Sequence, residues 1–170
     1  MFVSLKRWVL NPCLDLLPSR CFGYRRAVLK LMGVKIAASA RVNAGFRLYG
    51  PGALEIGEHV WIGRGCRIYT AGQSRVTIGD NCEIGPETAF NCQSHRIGDA
   101  SHRAGSCVLH NIELGSGVWC GMRALILCTR IGSGTVIGAG SLVLRDVPAN
   151  VLAAGVPAAV KRTLQQSSPQ

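Results

Sequence analysis

The chain has 170 residues, 48% of them hydrophobic, which suits one domain with a buried core. No run reaches the roughly 18 consecutive apolar residues of a membrane-crossing helix. Lys6, Arg7 and Asn11-Pro12 interrupt the apolar stretch that a signal peptide needs, so a cytoplasmic location is expected. The formal charge of +10 is lopsided: residues 1–47 hold nine of the 19 Lys and Arg but one of the nine acids, Asp15, for a net +8.

Residues 1–33 intersperse Phe2, Leu5, Trp8, Val9, Leu14, Leu16 and Leu17, then Val28, Leu29, Leu31 and Met32, with Lys6, Arg7, Arg20, Arg25, Arg26 and Lys30. The pattern predicts two short amphipathic helices broken near Asn11-Pro12 and Pro18. They would cap a repetitive domain. The basic, apolar residues 1–47 also suit peripheral contact with the inner face of an anionic membrane. Nucleic acid is not expected as a partner, because neither a binding motif nor an aromatic platform is present.

From residue 56 to residue 143 a six-residue unit recurs: an aliphatic residue, glycine, two polar or small residues, a small or β-branched residue, and one free place. It reads Ile56-Gly57-Glu58-His59-Val60-Trp61, Ile62-Gly63-Arg64-Gly65-Cys66-Arg67, Ile78-Gly79-Asp80-Asn81-Cys82-Glu83 and Ile84-Gly85-Pro86-Glu87-Thr88-Ala89. Leu114-Gly115, Cys120-Gly121, Ile131-Gly132 and Ile137-Gly138 continue it. Six fits neither the helical period of 3.6 nor a lone alternating strand, and marks a parallel β-helix with about 18 residues per triangular coil. The aliphatic residues stack inside. Glycine at the second place should supply corner backbone angles and close layering.

Residues 36–48 form a degenerate first coil, residues 70–75 an excursion, and residues 96–107, rich in Gly, Asp, Ser and His, a projecting loop. The repeat domain is expected over 34–148. Residues 149–164 should close the last coil as a short strand and helix, and 165–170 should form a disordered polar tail. The eight cysteines show no Cys-x-x-Cys spacing, and Cys66 and Cys82 fall on the small-residue place and Cys120 on an inward one, so reduced structural thiols are expected.

His95 stands where the regular coil meets the long loop, so its imidazole can be held rigidly and still meet solvent. Histidine titrates near neutrality and can take a proton from a hydroxyl.

Asn91-Cys92-Gln93-Ser94-His95-Arg96-Ile97, Gly117-Val118-Trp119-Cys120-Gly121, Ile137-Gly138-Ala139-Gly140-Ser141, Asp146-Val147-Pro148 and Ala154-Gly155-Val156-Pro157-Ala158 together resemble the left-handed β-helix acyltransferases. Within them the chain is most similar to the maltose, capsule and exopolysaccharide O-acetyltransferases, over residues 33–164. The resemblance implies an all-β left-handed helix, a homotrimer, and acetyl transfer from acetyl-CoA to a saccharide hydroxyl with no metal. It makes His95 the general base, with Asp99, Glu87 or a backbone carbonyl orienting the ring, since Arg96 replaces an acid common in that family. It assigns Trp119 and Asn91 to the acceptor site, although Trp119 could equally be a coil-packing aromatic like Trp61. Amides near Gly121, Met122 and Ala139 would meet the pantetheine arm and thioester, with Gly121 a candidate for the oxyanion. Arg145, Lys161 and Arg162 would meet the phosphates of coenzyme A.

Two other readings are distinguishable. A zinc protein like the γ-type carbonic anhydrases would draw on His59, His95, His102 and His110, but His59 and His95 stand at different places of the repeat. A non-enzymatic β-helix scaffold would need neither His95 nor Trp119.

Overall fold

The structure is a computed structural model that describes residues 2–127 and 129–165. Cys128 and all of the expected tail except Gln165 lie outside the described residues. The chain forms a left-handed parallel β-helix with three faces. The first carries Lys35–Ile36, Ala53–Ile56, Arg75–Ile78, Ile112–Leu114 and Arg130–Ile131. The second carries Arg41–Val42, Trp61–Ile62, Glu83–Ile84, Trp119–Cys120, Val136–Ile137 and Val151–Gly155. Ala158–Thr163 pairs antiparallel with the last of these. The third carries Arg47–Tyr49, Arg67–Tyr69, Ala89–Asn91, Leu125–Leu127 and Leu142–Val143.

The repeat explains this geometry. Ile36, Ile56, Ile78, Leu114 and Ile131 are register partners down the first face, and Leu48, Ile68, Phe90, Ile126 and Val143 down the third; all are buried. The fifth place is buried too, and its polar members bond to the next coil. Thr88 Oγ1 donates to Gly121 O at 3.2 Å, Cys66 Sγ to Gly85 O at 3.2 Å, and Cys82 Sγ to Gly115 O at 3.1 Å. Cysteine here replaces a hydroxyl, and the described cysteines are free thiols. Burial pushes the Cys66 thiol up to about 12 and the Cys82 and Cys120 thiols upward as well.

The two demands expected of the second-place glycine fall on different places. Close layering is at the second place: a β-carbon on Gly63 would lie 2.6 Å from Pro86 N, and one on Gly121 2.5 Å from Ala139 N. The left-handed corner angle is at the fourth place, where His59, Asn81, Glu87 and Arg123 hold φ of 55 to 59°. Asparagine adopts that conformation readily; the other three are held there by the coil.

Six residues separate the first-face from the second-face column, and the second from the third, in each full coil. Every departure from six falls at the remaining corner, between the third face and the next first face. Eight residues separate Leu48 from Ile56, ten Ile68 from Ile78, 24 Phe90 from Leu114, five Ile126 from Ile131, and four Val143 from Val147, which bridges to Ile131. The longest insertion is a β-hairpin, Gln93–Ile97 against Ala104–Leu109, rather than a loop over 96–107. The coil therefore ends at Asn91 and resumes at Ile112, and His95 lies within the hairpin arm instead of at the coil's edge. At the C-terminus the expected strand and helix is likewise a hairpin, Val151–Gly155 with Ala158–Thr163.

Helix α1 (Phe2–Leu10), a 3-10 turn (Pro12–Asp15) and helix α2 (Phe22–Leu31) close the open first coil. Leu14, Leu29 and Met32 are buried against its core. Buried polar groups hold the cap as firmly as apolar ones. Asn11 exchanges two 3.0 Å hydrogen bonds with Leu48, and Arg7 donates to Met32, Gly50 and Gly52 carbonyls. Arg25, fully buried, donates to the carbonyls of Leu14, Leu17, Pro18 and Ser19. Arg7 and Arg25 thus do not belong to an outward basic face, which corrects the expectation for residues 1–47. Asp15 pairs with Arg47 and accepts from Gly45 N–H at 2.6 Å, and the Arg47 hydrogen bond chiefly holds its carboxyl below the usual range.

Two outcomes follow for stability. Gly63→Ala should destabilise by about 2 kcal/mol or more, since backbone must move. Gly23→Ala in α2, whose β-carbon would meet nothing closer than 3.8 Å, should be neutral or stabilise by up to about 1 kcal/mol; urea melts of both variants check this. Asp15, with its lowered pKa, contributes above its ordinary titration range and loses that contribution as pH falls through the lowered value. Thermal melts of wild type and Asp15→Asn should therefore differ by about 1 kcal/mol or less at pH 6 and converge as the pH falls below the usual carboxylate range. A gap independent of pH would remove the ion pair from the account.

Candidate active site

Third-face side chains just past the inward column point outward, one above another. Tyr49 and Tyr69 are register partners on successive coils, and Asn91 follows Tyr69. The two tyrosine rings stack, with centroids 5.0 Å apart and planes 13° apart. Asn91 then turns the chain out of the coil: its Oδ1 accepts Gln93 N–H and its Nδ2 donates to Gln93 O, both at 3.1 Å. The hairpin leaves along this edge and brings His95 over the column. Tyr49, Tyr69, Thr70, Asn91, Gln93 and His95 enclose a cavity of about 430 Å³.

The His95 ring is oriented by a backbone carbonyl. Its Nδ1 lies 2.9 Å from Gly105 O on the opposite hairpin strand. A carbonyl only accepts, so Nδ1 carries the hydrogen of the neutral ring and Nε2 keeps its lone pair. The other two candidates are engaged elsewhere. Asp99 accepts from Ser101 Oγ at 2.5 Å and from the amides of Ser101 and His102, and these bonds, the hydroxyl first, hold its carboxyl low. Glu87 pairs with Arg123 at 2.7 Å, which lowers it in turn.

Asn91 and His95 are thus brought together, while the other expected site residues are not beside them in one chain. Gly121, Met122 and Ala139 lie on successive coils at the corner between the second and third faces, the opposite edge of the third face from His95. Gly121 N–H is donated to Ile137 O at 2.7 Å, which withdraws it as an oxyanion donor. The amides of Met122 and Ala139 make no hydrogen bond among the described residues. Trp119, 55% exposed, stands on the second face next to that corner. Trp61, two coils away on the same face, packs edge-on against Phe22 of α2 at 5.7 Å. Arg145 follows the third-face strand Leu142–Val143, and Lys161 and Arg162 lie on the outer strand of the final hairpin; all three are exposed.

Tyr49 and Tyr69 were not singled out from the sequence, although a signal existed: each directly follows the inward aliphatic of the third face, as Asn91 follows Phe90. Among the described residues no three His, Cys, Asp or Glu side chains cluster as a metal site. His59 lies at the corner between the first and second faces, away from the hairpin that carries His95, His102 and the approach to His110. Size alone does not mark the site. A cavity of about 520 Å³ at Glu113, Arg130 and Asp146 is larger than that at His95 but is lined by no histidine.

No protein-family profile matches the chain. It is 40% identical over 90 residues to the galactoside O-acetyltransferase of Escherichia coli (strain K12), covering 52% of this chain and 44% of that one, less than half of that relative's length. It is 30% identical over 146 residues to the Escherichia coli (strain K12) protein designated a colanic acid biosynthesis acetyltransferase, covering 85% of this chain and 78% of that one. In fold it is similar to a galactoside acetyltransferase solved in complex with coenzyme A, with a TM-score of 0.74 and 24% identity over 96% of this chain and 81% of that one. The six-residue repeat, the coil it builds and these relatives make the chain a member of the hexapeptide-repeat acetyltransferase family.

Proposed function

We propose that this protein is a trimeric O-acetyltransferase that moves an acetyl group from acetyl-CoA to a saccharide hydroxyl, with His95 as general base. The observation that carries the reading is the Gly105 carbonyl on Nδ1, which presents Nε2 as a base at a cavity floored by two stacked tyrosines. Aromatic faces suit the apolar face of a pyranose ring, and Asn91 and Gln93 line the cavity with polar groups. The relatives' names, for galactoside and colanic acid acetylation, agree with a saccharide acceptor. The solved relative's coenzyme A supports the donor.

Where the residues lie supports the trimer. His95 and the Gly121–Met122–Ala139 corner occupy opposite edges of the third face, so one cleft holds both only if a neighbouring chain supplies one of them. Three-fold closure does this with one repeated contact. Trp119 then joins the cleft from the same chain as Met122 and flanks the acceptor. Arg145, Lys161 and Arg162 are exposed cations of the kind that phosphates of coenzyme A require.

In the reaction, the acceptor hydroxyl gives its proton to His95 Nε2 as its oxygen bonds to the thioester carbonyl carbon. The tetrahedral oxyanion takes a hydrogen bond from the amide of Met122, one of the two free donors at that corner, an interaction worth about 3 to 4 kcal/mol. Collapse breaks the carbon–sulfur bond, and the coenzyme A thiolate recovers the proton from the imidazolium. Holding both substrates in one cleft supplies much of the remaining acceleration.

Acetyl-CoA consumption against a panel of saccharides tests this. His95→Ala should lower kcat by about 10²- to 10⁴-fold with unchanged mass and melting. Tyr69→Ala should raise the acceptor KM about tenfold and leave the acetyl-CoA KM unchanged. Turnover by His95→Ala at the wild-type rate, or a monomeric active protein, would overturn the reading.

A further inference from the structure

Helix α1 is turned inside out. Its charged Arg7 is 2% exposed and bonded to three carbonyls, and burial pulls its pKa below the usual arginine range. Its apolar residues face solvent instead: Phe2 is 87% exposed and Trp8 72%, with Leu5 and Val9 beside them. The rotation of the helix about its axis is set by the polar contacts of Arg7 and, just beyond its end, of Asn11 with Leu48, not by an apolar stripe seeking the core. Leu16 and Leu31 are exposed as well, and an apolar groove of about 690 Å³ runs between α1 and Leu31, with Lys6 at its edge.

The charges around this surface have one sign. Lys6, Arg20 and Lys30 are exposed along it, and Asp15, the one acid in residues 1–47, is committed to Arg47 and Gly45. An apolar patch in a segment whose exposed cations outnumber its one, already paired, acid calls for a partner that is apolar inside and anionic at its surface. A second copy of the same patch would set cations against cations. No helix among the described residues is long and apolar enough to cross a membrane, so the contact is one of lying on the surface. We infer that α1, with Leu16 and Leu31, seats the protein on an anionic lipid bilayer, Phe2, Leu5, Trp8 and Val9 entering the headgroup boundary and Lys6, Arg20 and Lys30 meeting the lipid phosphates. The surface lies at the same end of the prism as the His95 cavity: Gly50, whose carbonyl receives Arg7, directly follows Tyr49.

Co-sedimentation of the full chain with vesicles of phosphatidylcholine alone, and with added phosphatidylglycerol, tests the inference. Binding should require the anionic lipid and weaken with salt. It should fall about fivefold for each of Lys6→Gln and Lys30→Gln and be lost in Leu5→Ser/Trp8→Ser. These side chains are exposed, so the fold should survive, as melting would check. His95→Ala should bind vesicles as wild type does, which separates this inference from the catalytic reading. Absence of binding by folded protein, or equal binding by Leu5→Ser/Trp8→Ser, would overturn it. So would a larger assembly of wild type that the double variant fails to form, an outcome that gives the face to a second copy.

Discussion

Coils in this molecule stack so closely that the glycines that follow the inward residues of the first and second faces have no room for a side chain. A β-carbon on Gly63, Gly85 or Gly121 would sit within 2.7 Å of backbone atoms in the next coil. That spacing keeps each rung parallel to the next and lets the backbone amides pair between coils without interruption, as Gly63 N does with Ile84 O at 2.7 Å and Gly121 N with Ile137 O at 2.7 Å. Columns of like position then run the length of the prism. Inside they are aliphatic and bury the core; outside they set equivalent side chains one coil apart, close enough to stack or pair. The Tyr49–Tyr69 stack and the Lys35–Glu55–Arg75 ladder are two products of the same spacing.

A prism so regular has little room for chemistry along its edges, and this chain confines its irregularity to one of them. Two corners keep the six-residue interval in each full coil, while the corner after the third face absorbs the insertions and both shortened intervals. Extra residues can leave there without disturbing the rungs above and below, because the chain returns to the same column at Ile112, which pairs with Val76. The hairpin uses this freedom. Its antiparallel pairing sets His95 opposite Cys107, and the Gly105 carbonyl holds the ring, so the insertion is a hydrogen-bonded arm. Asn91 links the two regimes, ending the coil column and bracing the first residue of the arm.

The cap obeys a different logic. An open first coil needs cover, and Leu14, Leu29 and Met32 supply it, but the orientation of α1 follows from hydrogen bonds that accept no alternative partner. Carbonyls at Met32, Gly50 and Gly52 would be left bare on the cap side without Arg7, and a buried unpaired carbonyl is costly. The polar contacts therefore outrank the apolar preference of Phe2 and Trp8, which are left outward.

The six-residue period by itself determined the β-helix and its inward columns, because a strict period allows only one way of burying the aliphatic residues. The resemblance of Asn91-Cys92-Gln93-Ser94-His95 and of the later motifs carried the acyltransferase family, which the relatives establish. Only the tertiary structure decided that the projecting segment and the C-terminal closure are hairpins, that Gly105 orients His95, that Gly121 N–H is spent within the coil, and that Tyr49 and Tyr69 floor the cavity. Each of these depends on which backbone groups meet across a coil or a hairpin, a matter of register between residues that are distant in sequence. The inward turn of Arg7 is of the same kind: a helical period shows two faces, and only the carbonyls waiting on one side choose between them.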